Sequence, residues 1–401
     1  MLSMDVPDWA ETLRSSDPPL TTDEDFWAKV RADYKLKPDY INLESGYYNI
    51  IPQPTLKKLQ QHIEMVNYEG SYYMRTVQWE NKKRMASKLA VLLGCEARNL
   101  AITRNTTESL DMIIKGFPWR SGDEAVLALQ DYGAMKDMFK QVSDRYGIGI
   151  NTVSVPNHPK TDEDIVGLYE QAITPRTRLL MVCHMINVTG QILPIQKICE
   201  MAHSKGVQVM VDGAHCVGHF EFDIESLGCD YYGSSLHKWL ACPLGTGLLY
   251  VRDQHIDQIW PLLAEAPREE GDIGRLNHTG THPVYHDLSI ENAIDYHNML
   301  GGKRKEDRLR YLQRYWSDKV RNHPGIIVNT PQDPSRSCAI ANVGIEGIKP
   351  SKMAERLLKD YGVWTVAIDF ANVHGCRITP NVFTTTDELD RFVMALEEMA
   401  G

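Results

Sequence analysis

Three short segments carry residue types that do chemistry when they meet. Gln208-Val209-Met210-Val211-Asp212-Gly213-Ala214-His215 is an apolar run ending in an acid. An aspartate there is either a helix cap or a buried partner for a cationic ligand atom. Further on, Asp230-Tyr231-Tyr232-Gly233-Ser234-Ser235-Leu236-His237-Lys238-Trp239-Leu240 sets a lysine among His, Trp and Leu just past another apolar run. A lysine kept from water loses its proton more readily and forms imines with carbonyls. The plainer alternative is a surface lysine whose head snorkels into solvent. Upstream of both, Ala101-Ile102-Thr103-Arg104 runs into Asn105-Thr106-Thr107-Glu108-Ser109-Leu110. Hydroxyls and free amides at a helix start make a phosphate cradle. Read as a capping box, the same residues merely begin a helix.

These segments need elements that bring them together. Short apolar runs recur at 99–103, 124–129, 150–155, 178–184, 207–212, 229–233 and 246–251, with helical patterns in most of the gaps. Strands alternating with helices predict a seven-stranded, mostly parallel, doubly wound α/β sheet. Ligands of such sheets bind beyond the C-terminal strand ends, where all three segments fall. Residues 40–288 are expected to form this large domain. Residues 289–401 are expected to form a smaller α+β domain, opening on a long helix over 289–322. Strands are expected there at 325–329, 338–344, 363–368 and 376–379, and helices at 350–361 and 386–399. Residues 1–39 read as an N-terminal arm packing on the small domain, with a helix near 23–34.

Composition excludes several classes. Forty-three basic against 53 acidic residues give a net charge of −10 with no dense basic block, which argues against a nucleic-acid partner. No stretch of ~18 apolar residues offers a membrane span. The N-terminus, MLSMDVPDWAETLRSSDPP, is polar and lacks the basic and apolar regions of a signal peptide. Eight cysteines are scattered without a C-x-x-C pair, which reads as free thiols in a reducing cytoplasm.

A phosphate cradle, a buried acid and a lysine match the needs of one cofactor. Pyridoxal 5′-phosphate (PLP) requires a lysine for its aldehyde, an acid for its pyridine nitrogen and a phosphate site. With the Pro243–Gly247 turn and the run Arg377-Ile378-Thr379-Pro380-Asn381-Val382-Phe383, the chain resembles fold-type I PLP enzymes of the class V aminotransferase family. The resemblance spans about residues 40–400 and is strongest to the isopenicillin N epimerase-like branch. It implies that Lys238 holds PLP as a Schiff base and that Asp212 pairs with the pyridine nitrogen. His215 and Asn187 match positions near the phenolic oxygen. Thr106, Thr107, Ser235 and His237 match phosphate ligands, and Tyr132 matches the aromatic that stacks on the ring. Thr281, in His278-Thr279-Gly280-Thr281, matches a threonine reaching the partner subunit's cofactor, which implies a homodimer. Arg377 matches the arginine that forks onto an amino-acid carboxylate, and would thereby set the charge of the pocket. Tyr47 and Asn49 fall where the family lines its substrate pocket. No metal is expected: His278, His282 and His286 have suggestive spacing, but Gly280 and Pro283 break the helix that would align them.

Cysteine desulfurases share this scaffold but need a nucleophilic cysteine on a small-domain loop. The segment 367–375 has none, and Cys376 sits in a strand-like run beside Arg377. The remaining reactions begin with loss of the Cα proton to Lys238. Aminotransferase-type chemistry on an amino-acid or peptide-like substrate is expected first, with an epimerase or racemase or a β-eliminating C–S lyase as alternatives. A nicotinamide-dependent dehydrogenase would need G-x-G-x-x-G after the first strand, where Arg104-Asn105-Thr106-Thr107 stands instead.

Overall fold

The computed structural model describes residues 6–11, 13, 20–264 and 268–401. Part of the N-terminal stretch read above for targeting signals lies outside them. A helix at Glu24–Ala32 and a two-residue strand, β1 (Ile41–Asn42), lead into a central sheet. Its strands are β2 (Leu100–Thr103), β3 (Glu124–Ala128), β4 (Gly149–Val153), β5 (Thr177–Cys183), β6 (Gln208–Asp212), β7 (Tyr231–Ser235) and β8 (Gly247–Val251). They lie in the order β2-β8-β7-β6-β5-β3-β4. All neighbours pair in parallel except β8, which runs antiparallel to both β2 and β7.

The inner strands are almost wholly buried because helices cover both faces, whereas the edge strand β4 is only partly buried. Alternate side chains serve opposite cores. Leu180, Val182, Val209 and Val211 join one cluster, while Leu179, Met181 and Met210 join the other. The covering helices start where short polar side chains satisfy free amides: Asn105 accepts from the Glu108 amide, and Thr161 and Asp164 form a reciprocal capping box.

After residue 280 the expected single helix is two. Val284–Leu300 and Gly302–Val320 are separated at Gly301, whose φ of +86° interrupts helical geometry. Ile290, Ala293 and Ile294 of the first helix pack into a core cluster of the central sheet. The strands that follow are β9 (Ile326–Val328), β10 (Ala341–Ile345), β11 (Val363–Trp364), β12 (Val366–Phe370) and β13 (Val373–Ile378). The order β12-β13-β10-β9 makes an antiparallel sheet, and β1 pairs in parallel with β11. The segment 367–375 is therefore not an open loop. It is a tight hairpin turning at Ala371, a residue with φ of +52°. Its strand character was hidden because several exposed positions are polar, as at Asp369 and His374.

Ionic clasps fasten the N-terminal helix. Arg31 forks onto Glu388 at 2.8 and 2.9 Å, and the wholly buried Arg308 forks onto Glu24 at 2.6 and 2.9 Å. Among the described residues all eight cysteines are free thiols.

Gly190 shows how tightly the chain crosses between segments. Its φ is +75°, and a Cβ there would lie 1.9 Å from the Ile340 carbonyl oxygen. Gly167, in the helix Asp162–Ala172, has open space around the same position. Gly190→Ala should lower the unfolding free energy by about 3 kcal/mol through left-handed strain and overpacking. Gly167→Ala should raise it by about 0.5–1 kcal/mol through helix propensity. Urea unfolding of the two variants checks both signs.

Candidate active site

Asp212 ends β6, Lys238 lies three residues beyond the end of β7, and Thr106 opens the helix after β2. Parallel pairing of β6 with β7 puts the first two side by side. Antiparallel β8 hydrogen-bonds to both β7 and β2, which brings the Thr106 turn to the same edge. That turn lies against the start of β8: a Cβ on Gly247 would sit 2.7 Å from Asn105 backbone atoms, so a side chain there would push the turn away.

The three segments enclose a cavity of about 200 Å³. Lys238 forms part of its wall. Its Nζ is 3.1 Å from His215 Nε2, and His215 Nδ1 faces the Trp239 indole N–H at 3.4 Å. Trp239 is itself stacked on His219, with ring centroids 3.7 Å apart. Loss of water lowers the Lys238 amine to about 8, opposed by the nearby Asp212 carboxylate and reinforced by Arg377. Burial likewise pushes His215 well below its usual value, so it faces the amine as a neutral ring. Asp212 is buried, and one oxygen accepts the Ala214 amide at 2.9 Å. Burial raises its affinity for a proton, against the pull of that amide and of Lys238.

The opposite corner has the donors of an anion site. Ser235 Oγ accepts the Thr106 amide at 2.9 Å and lies 2.7 Å from the Thr106 hydroxyl. Thr107 lines the cavity in the first turn of an 11-residue helix, where amides lack intrahelical acceptors. His237 is buried with Nδ1 unpartnered. An orphaned ring nitrogen beside hydroxyls and helix amides suits a phosphate, an amine suits an aldehyde, and a buried acid suits a pyridine nitrogen. The donor set therefore fits PLP.

The cavity wall also includes Tyr132, Asn187 and Tyr47. Other expected residues lie elsewhere. Asn49 is outside the wall, its side chain turned to Asn381 at 2.9 Å and to the following amide. Thr281 is exposed and outside the cavity of its own chain, and its neighbour His282 binds Asp287 at 2.9 Å. Among the described residues no group of three or more His, Cys, Asp or Glu side chains is placed to hold a metal ion.

Arg377 departs most from expectation. It is wholly buried behind Tyr47 and Asn187, and its guanidinium already forks onto a carboxylate of the protein itself. Nε meets Glu44 Oε2 at 3.1 Å and Nη2 meets Glu44 Oε1 at 2.7 Å, while Nη1 donates to the Asn187 carbonyl at 3.1 Å. The Tyr47 ring covers it, with its centroid 4.2 Å from Cζ. The charge of this corner is thus not set by Arg377 alone. Sequence reading passed over Glu44, although a buried arginine nearly always demands an acid. It also passed over Tyr48, which lines the cavity and stacks on His237.

Comparison with known proteins agrees with this geometry. The family model "Aminotransferase class-V" matches residues 49–378. An isopenicillin N epimerase of Streptomyces clavuligerus is 26% identical, over 94% of this chain and 98% of the relative. A probable cysteine desulfurase of Xylella fastidiosa (strain 9a5c) is 24% identical, over 95% and 97%. The solved cysteine desulfurase CsdA of Escherichia coli superposes with a TM-score of 0.79 at 23% identity, over 93% and 98% of the two chains. A structure of a C-DES mutant with glycine covalently linked to its PLP cofactor gives 0.81 at 19% identity, over 92% and 99%. The chain belongs to the class V aminotransferase family of PLP-dependent enzymes, with the fold-type I architecture.

Proposed function

We propose that this enzyme breaks the Cα–H bond of an amino-acid-type substrate, with Lys238 as the base and aminotransferase-type return of the proton as the first outcome. The observation that carries this reading is the Lys238 amine, lowered to about 8 in a cavity wall it shares with Asp212 and neutral His215. When bound, PLP supplies an electron sink for the pair left at Cα. Asp212 holds a proton at the pyridine nitrogen. Thr106, Thr107, Ser235 and His237 bind the phosphate, Tyr132 covers one ring face, and His215 and Asn187 sit at the phenolic oxygen. Arg377 takes the substrate carboxylate through its uncommitted N–H groups once the Tyr47 ring turns aside. Burial, reinforced by Arg377, brings the Lys238 amine down to about 8, so its neutral form is within reach near neutral pH and it can act as a general base.

A second reading, epimerisation, is favoured by Tyr132. Its phenol lines the cavity, and burial raises its hold on its proton, which suits an acid that delivers a proton to the face opposite the lysine. The epimerase relative, 26% identical over nearly the full length, points the same way. Persulfide-forming chemistry is opposed by the hairpin at 367–375, which has no cysteine. The adjacent Cys376 is buried on β13, with its thiol on the Pro350 carbonyl.

Incubation with L-amino acids in deuterated water tests the proposal. A keto acid supports amino transfer, deuterium at Cα with mixed chirality supports epimerisation, and ammonia with a keto acid from the β-substituted substrate supports elimination. Lys238→Ala should slow Cα–H exchange by about 10²–10⁴-fold, the usual share of a positioned base. Unchanged exchange in that variant defeats the assignment.

The lowered amine has a signature of its own. A neutral amine captures the cofactor's aldehyde, so PLP uptake by cofactor-free protein should rise about tenfold per pH unit up to about 8 and then level off. An ordinary lysine would level off only near 10.5. Stopped-flow absorbance across pH 6–10 decides between them.

We further propose a homodimer in which Thr281 serves the partner subunit's cofactor. Thr281→Ala and Lys238→Ala are then each impaired alone, but one site of their mixed dimer is intact. Equal mixing with random reassembly makes about half of the dimers mixed, each with one intact site of two, so about a quarter of the wild-type activity should return. No recovery on mixing contradicts the shared site.

A further inference from the structure

Glu44 stands outside every role so far assigned, yet it is among the most committed carboxylates in the molecule. The chain brings it there by zipping residues 41–47 onto the end of the small-domain sheet. β1 pairs with β11, the Thr379 amide donates to the Leu43 carbonyl at 2.8 Å, and the Thr379 hydroxyl accepts the Ser45 amide at 2.6 Å. Glu44 Oε1 accepts the Gly46 and Tyr47 amides at 3.1 and 2.9 Å besides Arg377 Nη2, and Oε2 accepts Arg377 Nε. With Asn187 taking a further N–H, three of the five guanidinium donors are used, and one remains on each terminal nitrogen.

This pairing fixes the charge that a substrate meets. A free arginine would offer a full positive charge and welcome a second carboxylate. Here the ion pair is neutral before substrate arrives, and the incoming α-carboxylate uses the remaining donors. A second carboxylate nearby would face Glu44 and Asp212. Among the described residues the cavity wall offers no cation besides Lys238, because burial keeps His215 and His237 neutral.

We infer that Glu44 is a specificity-determining residue that positions Arg377 and restricts the site to amino acids whose side chain carries no second negative charge. The inference rests on the reading that Arg377 receives the substrate carboxylate, and the test separates the two.

The PLP-loaded enzyme is titrated with L-glutamine against L-glutamate and with L-asparagine against L-aspartate. Each pair has nearly one shape and differs by one charge. The readout is the absorbance of the bound cofactor, so no turnover is needed. The wild type should bind the neutral member about tenfold more tightly, a preference typical of avoided like charges. Glu44→Gln should shrink that ratio to about threefold or less, chiefly by tighter binding of the acidic member. Glu44→Asp, which keeps the charge, should retain it. Equal affinity of the wild type for both members, or an unchanged ratio in Glu44→Gln, overturns the inference. If Glu44→Gln does not fold, the wild-type ratio and Glu44→Asp decide. Arg377→Gln is the control on the underlying reading. Unweakened glutamine binding in that variant removes Arg377 from carboxylate recognition. If Arg377→Gln weakens glutamine while Glu44→Gln leaves the ratio alone, only the role of Glu44 falls. If no amino acid of either kind perturbs the spectrum, both readings fall together.

Discussion

Removing water from a primary amine while leaving it open to a cavity is the physical constraint on which this molecule depends. Desolvation disfavours the ammonium, and a lone buried ammonium would be driven to neutrality altogether. Asp212 opposes that drift and Arg377 reinforces it, so the Lys238 amine settles near 8 rather than at either extreme. Aromatic rings stand behind the amine. Trp239 stacks on His219 and donates to His215, and His219 accepts the Ala339 amide at 2.9 Å. One chain of rings thus connects the amine to the backbone that leads into β10.

Sheet topology supplies the convergence. Asp212 and Lys238 come from neighbouring parallel strands, so their strand ends share an edge by construction. Thr106 follows β2, which is remote in sequence from β7. Antiparallel β8 lies between them and carries the phosphate corner to the amine. The small size of Gly247 then allows the Asn105 turn to close against it. A parallel strand in the place of β8 would need a crossover from the opposite edge and could not join these ends so directly.

The central sheet was legible because most of its strands are short apolar runs, as in β5 and β6, and that signal survives without long-range information. The same holds for Asp212 and Lys238, whose places at strand ends follow from local pattern. What was hidden depends on pairing across the chain. The hairpin at β12 and β13 has one wet face, so its strand pattern is diluted by Asp369, Asn372 and His374. The helix break at Gly301 needed a positive φ that a Gly-Gly pair permits but does not demand. Glu44 lies 333 residues from Arg377, and nothing local to Leu43-Glu44-Ser45 announces a partner. The general rule that a fully buried arginine needs an acid was available, but the burial of Arg377 itself was not.

Two opposite-charge pairs now frame the site, Asp212 with Lys238 and Glu44 with Arg377. The former acts at a distance, each charge shifting the other's hold on its proton. The latter is fixed: both members are buried, bidentate and further held by backbone amides and a carbonyl. Breaking such a pair strands a charge at a cost of about 3–5 kcal/mol, so the arginine cannot follow a substrate as a mobile surface arginine would. Immobility has a catalytic use. On the proposed reading, a carboxylate captured by this fixed fork would keep little freedom about Cα, and the fold would orient the Cα–H bond toward Lys238 before any proton moves.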